Sequence, residues 1–413
     1  MNQPQSYVVT LTGQVYGGDA IGRLPDGRAV FVPFALPGET VRISIVEDKP
    51  RHALARLEEI LVPGETRILP RCRHFATCGG CHYQMMPYAS QLQSKTAILV
   101  DQLKRIGKLN DVPIAPIVPS PEPWHYRNYV QFQISQEGKL GFNKSRSNDI
   151  TPIEECFLPE SPLDEIWPLF TFDQDTGIQK VGLRIGSQQD VQITLEGNSD
   201  SIPELVVEEL DASVVHISND SQVVIAGSVY TWLTVRDRLF RVSAGTFFQV
   251  NTPVAELMVE AVLTELPQKR DLTILEVYCG AGLFSAFLAS RVERLVAIEA
   301  SFSACDDFMF NLDEFDNVEL YEAPAEAVIP LLKIKPDLVL VDPPRSGLER
   351  TVLQGILSMG APKIVYVSCD PATLARDARY LVDGGYVLSQ VTPFDMFPQT
   401  YHIESVSTWK RQL

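Results

Sequence analysis

The sequence predicts a multi-domain α/β protein: a small N-terminal β-barrel, a central, mainly antiparallel β domain with a cluster-binding loop, and a C-terminal domain built on a parallel sheet. Three observations predict this. Residues 6–62 hold short apolar runs broken by Gly17-Gly18, Pro25-Asp26-Gly27 and Leu36-Pro37-Gly38; Cys72, Cys78, Cys81 and Cys156 gather in the first 160 residues; and strand and helix patterns alternate beyond Val250. The 413 residues exceed one ordinary core, and 45% hydrophobic residues can fill several. We place the domains at 1–62, 63–246 and 247–413.

The runs Tyr7-Val8-Val9-Thr10-Leu11, Ala29-Val30-Phe31-Val32 and Thr40-Val41-Arg42-Ile43-Ser44-Ile45 have the spacing of barrel strands. With Gly17-Gly18-Asp19-Ala20-Ile21-Gly22 and Phe31-Val32-Pro33, the stretch resembles the TRAM domain, an OB-like RNA-binding barrel. Cys72-x5-Cys78-Gly79-Gly80-Cys81 follows, and Cys156 comes 75 residues after Cys81. Four soft thiolates hold either zinc or an iron-sulfur cluster. Three clustered cysteines and one remote one favour a four-iron cluster over zinc. Seven cysteines in all, an odd number, argue against a disulfide framework.

The net charge of −17 looks wrong for a protein that meets nucleic acid. Its distribution changes that reading, because residues 61–146 hold 11 Lys+Arg against 5 Asp+Glu while the excess acid lies beyond residue 160. A polyanion is therefore expected to dock around the cysteine segment. Residues 87–109 read as a helix with Leu92, Ile98, Leu99, Leu103 and Ile106 on one face, Lys95, Lys104 and Arg105 exposed, and Gly107 as the stop. From Trp124 to Val250 the runs 129–134, 181–185, 191–195 and 214–217 read as strands at hairpin spacing. Trp124-His125-Tyr126-Arg127-Asn128, Lys144 and Arg146 are candidates to stack on or clamp RNA.

Beyond Val250 the pattern is Rossmann-like. Thr273-Ile274-Leu275-Glu276-Val277-Tyr278 is a buried strand that runs into Cys279-Gly280-Ala281-Gly282, and the next strand ends in Glu299. Such glycines let the backbone approach a nucleotide, and the acidic residue bonds ribose hydroxyls. NAD fits this geometry too, so a dehydrogenase stays open here. The apolar strand that ends in Asp342-Pro343-Pro344-Arg345 separates the readings, since a dehydrogenase has no need of it. An aromatic residue after the two prolines would point to nitrogen methylation, but Arg345 stands there.

Carbon methylation suits what remains. C5 of a uracil is a poor nucleophile until a thiolate adds to C6, and a base must then take the C5 proton so that the thiol can leave. Cys369, in Val367-Ser368-Cys369-Asp370-Pro371, supplies the thiol, and Glu404, in His402-Ile403-Glu404, supplies the carboxylate. A lone strand-end cysteine is ordinarily an inert core thiol. Here the helix expected to start near Pro371 offers amides that lower its pKa, and no apolar helix is expected to bury Glu404.

On these motifs the chain resembles the RNA uracil-C5-methyltransferase family over nearly its whole length. The resemblance implies a C-terminal methyltransferase domain that uses S-adenosylmethionine, with Cys369 as nucleophile, Glu404 as proton acceptor, and cofactor contacts at Gln249, Tyr278, Glu299 and Asp342. It also implies a [4Fe-4S] cluster on Cys72, Cys78, Cys81 and Cys156, and RNA as the partner, with ribosomal RNA favoured over transfer RNA because bacterial transfer-RNA members often lack barrel and cluster. Leu283, Pro324 and Asp370 depart from the family's usual residues, and the charge of Asp370 opposes a thiolate at Cys369. A cofactor-free RNA-binding protein is the other alternative, one that tolerates loss of Cys369. The first residues lack a basic segment followed by an apolar one, and no run is long enough to span a membrane. The expectation is a cytoplasmic enzyme with no obligate protein partner.

Overall fold

Glu39, buried at the end of a turn, fastens the barrel to the chain that leaves it. Its carboxylate accepts hydrogen bonds from the Leu36 and Gly64 amides at 2.8 and 3.2 Å and from Arg67 Nε and Nη2 at 2.5 and 2.9 Å. The barrel consists of β1 (Ser6–Gln14), β2 (Asp19–Arg23), β3 (Ala29–Pro33), β4 (Thr40–Asp48) and β5 (His52–Val62), closed in the order β1-β2-β3-β5-β4. Alternate residues point inward, so Val9, Leu11, Val30, Val32, Val41 and Ile43 fill the interior. Closure leaves no free edge.

The structure is a computed structural model that describes residues 6–173, 176–198, 212–218, 221–269 and 271–412. Residues 1–5 of the expected barrel domain and 174–175, 199–211 and 219–220 of the expected central domain lie outside the described residues. The chain forms two compact units. The first comprises Met1–Ile98, Phe142–Cys156 and Phe397–His402; the second comprises Leu99–Gly141, Phe157–Met396 and Ile403–Leu413.

Helix α1 (Tyr88–Arg105) follows the cysteine loop and stops two residues before Gly107. Lys104 and Arg105 are exposed, whereas Lys95, expected on the outer face, is 0% exposed. Its ammonium donates to the Phe397 carbonyl at 3.0 Å, and Gln91, one turn earlier, is buried beside the same loop. The apolar period hid a second, polar stripe that serves a chain segment 302 residues away.

Next come β6 (Tyr129–Ile134), β7 (Leu140–Asn143), β8 (Ile150–Pro152), α2 (Ser161–Ile166), β9 (Ile178–Ile185), β10 (Val191–Gly197), β11 (Ala212–Ile217) and β12 (Gln222–Ala226), with the strands ordered β12-β11-β10-β9-β6-β7-β8. The β6–β9, β9–β10 and β11–β12 pairs are antiparallel as expected from their spacing, but β10 and β11 pair in parallel. A parallel neighbour requires a crossover instead of a hairpin turn.

A hairpin, β13 (Tyr230–Val235) and β14 (Arg238–Ser243), leads through α3 (Thr252–Thr264) into the last sheet. This sheet is built from β15 (Thr273–Val277), α4 (Ser285–Leu288), β16 (Arg294–Glu299), α5 (Phe302–Asn311), β17 (Val318–Glu322), α6 (Ala325–Val328), β18 (Leu338–Val341), α7 (Arg350–Met359), β19 (Lys363–Ser368), α8 (Pro371–Asp383), β20 (Tyr386–Phe394) and β21 (Glu404–Arg411). Strand order is β17-β16-β15-β18-β19-β21-β20. The first five are parallel, and β18 is buried throughout, as a strand covered on both faces must be. Strand β21 runs antiparallel between β19 and β20, so the order departs from the 3-2-1-4-5-6 arrangement of dinucleotide-binding folds. Among the described residues no helix is long and apolar enough to cross a membrane.

Replacing Lys95 with Met keeps the buried stem but removes the donor to Phe397. We expect a loss of about 1–3 kcal/mol, read from urea unfolding at unchanged m-value.

Candidate active site

Strand β21 pairs with β19 in a register that ends at Ser368 opposite Ser405. Cys369 is the residue after that last pair on β19 and Glu404 the residue before it on β21, and the Glu404 charge acts on the thiol. Strand pairing thus brings a sulfur and a carboxylate 35 positions apart in sequence near each other.

Burial pushes the Cys369 thiol up to about 12, with Glu404 and then Asp342 adding to the rise while Arg345 draws it down. The sequence led us to expect the opposite, a thiol acidified by helix amides. The first amides of α8 are already used: Asp370 caps the helix and accepts from the Ala372 and Thr373 N–H groups at 2.9 Å each. Asp370 therefore builds the helix start at the expense of thiolate stabilisation. Glu404, expected to be open, is only 6% exposed. A strand between two others buries it where no helix does.

The glycine loop after β15 forms as expected. Tyr278 is left-handed at φ 65°, its amide donates to the Ile298 carbonyl at 2.9 Å, and Gly280 and Gly282 also have positive φ. A Cβ at Gly282 would come within 2.5 Å of Leu312, whereas a Cβ at Gly280 would meet open space. The loop is thus packed tightly on one side and vacant on the other, as a cradle for a ligand must be. Glu299 accepts from the Gly280 amide at 2.9 Å and from the Ala300 and Ser301 amides at 2.8 Å each. Burial, then Glu299, pushes Asp342 up to about 7 at the end of β18.

Gln249 lies in a loop fixed from several sides. The Asn128 side chain donates through its Nδ2 to the Gln249 carbonyl at 3.1 Å, and Arg184, buried, donates to the Ser243 and Thr246 carbonyls at 3.2 and 2.7 Å. Sequence reasoning missed three residues that position these loops. Asp307 holds Ser243 through its amide and hydroxyl at 2.8 and 2.7 Å. Asn311, one turn along α5, donates to the Ala281 carbonyl in the glycine loop at 3.0 Å and accepts from the Arg241 amide at 2.8 Å. Asp377 on α8 receives the Leu348 amide and the Tyr366 hydroxyl at 2.8 Å each, which fixes the turn that follows Arg345. The available signal was Asp307 and Asn311, polar residues at i and i+4 in α5.

The four N-terminal cysteines all belong to the first unit. Cys72 and Cys78 sulfurs accept from the His74 and Gly80 amides at 3.4 Å each. Gly79 sits where a Cβ would be 2.8 Å from the Asn143 carbonyl, and Arg73 pairs with Glu154 and Glu155 at 2.9 and 3.5 Å. The loop is thereby held against the segment that carries Cys156. Burial pushes the Cys72 and Cys78 thiols up. Among the described residues no three His, Cys, Asp or Glu side chains converge as a metal-holding set. The donor chemistry, soft sulfur with amide N–H support, still fits a thiophilic metal centre.

A glycine loop after the first strand, an acidic end to the second and a reversed strand between the last two define a methyltransferase that uses S-adenosylmethionine. The family model described as tRNA (Uracil-5-)-methyltransferase matches residues 196–412, and the TRAM domain model matches residues 5–57. The chain is 31% identical to an uncharacterized RNA methyltransferase of Halalkalibacterium halodurans, covering 98% of this chain and 97% of that one. It is 33% identical to another of Streptomyces coelicolor, with coverage of 98% and 94%. The chain belongs to the tRNA (uracil-5-)-methyltransferase family and is an S-adenosylmethionine-dependent RNA methyltransferase. Its fold is that of Pyrococcus abyssi tRNA (uracil-54, C5)-methyltransferase, solved with S-adenosyl-L-homocysteine, at TM-score 0.75 and 23% identity over 97% of this chain and 100% of that one.

Glu276, beneath the glycine loop, accepts from the Ser285 hydroxyl at 2.5 Å, and burial followed by Asp342 pushes it up to about 8. A carboxyl whose folded pKa is raised keeps a proton that the unfolded chain has released. Its stabilising contribution is whole below about pH 4 and is lost as the pH climbs through the folded value. The unfolding temperature of the cofactor-free protein is therefore expected to fall between about pH 5 and about pH 8. Glu276→Gln should flatten that fall; a scanning-calorimetry series with the same slope for both proteins contradicts the assignment.

Proposed function

We propose that this methyltransferase acts on C5 of a uridine in RNA, with Cys369 as nucleophile and Glu404 as the base. The observation that carries the reading is the β19–β21 register, whose last pair, Ser368 with Ser405, adjoins both residues. The thiolate of Cys369 adds to C6 of the uracil, and the C5=C6 double bond becomes an enolate that is nucleophilic at C5. S-adenosylmethionine, when bound, supplies the methyl group. Glu404 then takes the C5 proton, the double bond re-forms, and the sulfur leaves. Burial holds the Cys369 thiol up, and Arg345 is the cation that draws it down.

Gln249, Tyr278, Glu299 and Asp342 are proposed to hold the methyl donor. The vacant side of Gly280 and the acidic groups around it support this, because a positively charged sulfonium is favoured beside carboxylates. Cys72, Cys78, Cys81 and Cys156 are proposed to hold the [4Fe-4S] cluster. The resemblance favours ribosomal RNA on the presence of barrel and cluster, but the similar Pyrococcus abyssi chain covers 97% of this one and is named for transfer RNA. The barrel therefore does not discriminate, and the target uridine is to be mapped in both RNAs.

Incubation with 5-fluorouridine RNA and S-adenosylmethionine should give a denaturation-resistant complex, since fluorine cannot be removed as a proton. Cys369→Ser should abolish the complex and lower kcat about a thousandfold or more. Glu404→Gln should retain the adduct with ordinary RNA and accumulate it methylated. A Cys369→Ser enzyme working at the parent rate rules the mechanism out.

Anaerobically purified protein should carry about four iron atoms per chain, and Cys78→Ser should lower the iron content and the unfolding temperature together. One zinc per chain would instead assign a zinc site.

A further inference from the structure

Three separate chain segments bring aromatic rings together in the first unit, and neither the methylation chemistry nor the cysteines use them. Tyr401 is the centre: its ring meets Tyr16 edge-on at 5.5 Å, His82 at 4.6 Å and His402 at 4.3 Å, and His402 in turn meets Phe397 at 5.6 Å. All five residues are partly exposed.

Each supporting segment is held rigidly. Tyr16 sits in the turn between β1 and β2, closed by the Val15 amide on the Asp19 carbonyl at 2.9 Å and by Gln14 on the Gly18 carbonyl at 2.9 Å. Gly18 has φ 92°, and a Cβ there would stand 3.1 Å from the His82 ring, so only glycine lets the turn approach this closely. The Phe397–His402 loop is locked by Gln399, 2% exposed and left-handed at φ 68°. The Gln399 carbonyl accepts from the His82 and Tyr83 amides at 2.8 and 3.0 Å, and its side chain and amide both bond the buried Gln91 at 2.9 and 3.0 Å. Lys95 adds its bond to Phe397. A buried lysine, a buried glutamine pair and a strained backbone are an expensive way to shape a surface loop, and such strain collects where geometry serves binding.

We propose that Tyr16, Tyr401 and His402 form a stacking shelf for one unpaired nucleobase of the RNA substrate. This deepens the proposed function and rests on its RNA substrate. Single-stranded RNA is recognised by bases stacked on Tyr, Phe and His faces, and a rigid, partly exposed ring loses little entropy on taking one. Arg146 pairs with Asp19 at the end of the same turn and places a cation beside the shelf. The shelf grips substrate and takes no part in bond making, so it governs RNA affinity and KM and leaves kcat alone.

The test uses full-length protein and short single-stranded RNAs that carry 2-aminopurine at each position in turn. Wild-type protein should quench the fluorophore at one position. Tyr401→Leu, which keeps apolar packing but not the ring, should lose that quenching, weaken binding about tenfold and raise KM by the same factor. Tyr401→Phe should restore both, with adenosylmethionine affinity unchanged throughout. If Tyr401→Leu proves unstable, Tyr16→Leu in the barrel turn decides. Wild-type quenching and affinity in the stable leucine variant would overturn the shelf. Failure of wild-type protein to form the 5-fluorouridine complex would instead sink the uracil chemistry while leaving the quenching result standing.

Discussion

The proposed partnership of Cys369 and Glu404 hangs on the pairing of β21 between β19 and β20. Side chains alternate across a strand, so a slip of one residue in either ladder would turn Glu404 to the opposite face of the sheet. The register is held by more than backbone bonds. Trp409 is fully buried and donates to the Ser407 hydroxyl at 3.0 Å, and Ser407 donates on to the Tyr366 carbonyl of β19 at 3.3 Å. These contacts tie β21 to β19 in one alignment, and the bulge between Leu388 and Gln390 is taken up on the far side, in β20.

That pairing creates an electrostatic cost. Beyond burial, Glu404, Asp342 and Asp370 each raise the Cys369 thiol, and Glu276, Asp342 and Glu299 raise groups around the glycine loop. On the reading proposed here, the methyl donor brings a positive charge among these carboxylates, which favours its binding.

Local patterns in the sequence were legible because they arise from neighbours along the chain. The alternation in β3 and β4, the continuous apolar run of β18, the glycine loop and the stop of α1 near Gly107 all follow from local residue patterns. What stayed hidden depends on distant partners. Lys95 reads as a surface residue until Phe397 is beside it. Asp370 reads as a charge next to a thiol, yet its carboxylate is committed to the amides of α8. The parallel β10–β11 pair contradicts a spacing that permits a hairpin. Asp307, Asn311 and Asp377 carry no chemistry of their own, and only the fold reveals that they brace the loops bearing the candidate cofactor residues.

The first unit poses a separate problem of stability, because it is assembled from Met1–Ile98, Phe142–Cys156 and Phe397–His402, with long stretches of chain between them. Outside the barrel, Leu36, Tyr83, Met85 and Met86 form an apolar cluster among the described residues, with Phe75 and Tyr401 packed against it. Bringing distant segments together costs loop-closure entropy. Buried polar bonds from Gln91 and Lys95 fasten the third segment, and ion pairs from Arg73 fasten the second. A metal centre shared by Cys72, Cys78, Cys81 and Cys156 would fasten the second far more strongly, since its binding free energy becomes folding free energy for the unit. If the four cysteines hold one centre, as proposed, their division between two segments would have a structural reason that is independent of the methylation chemistry.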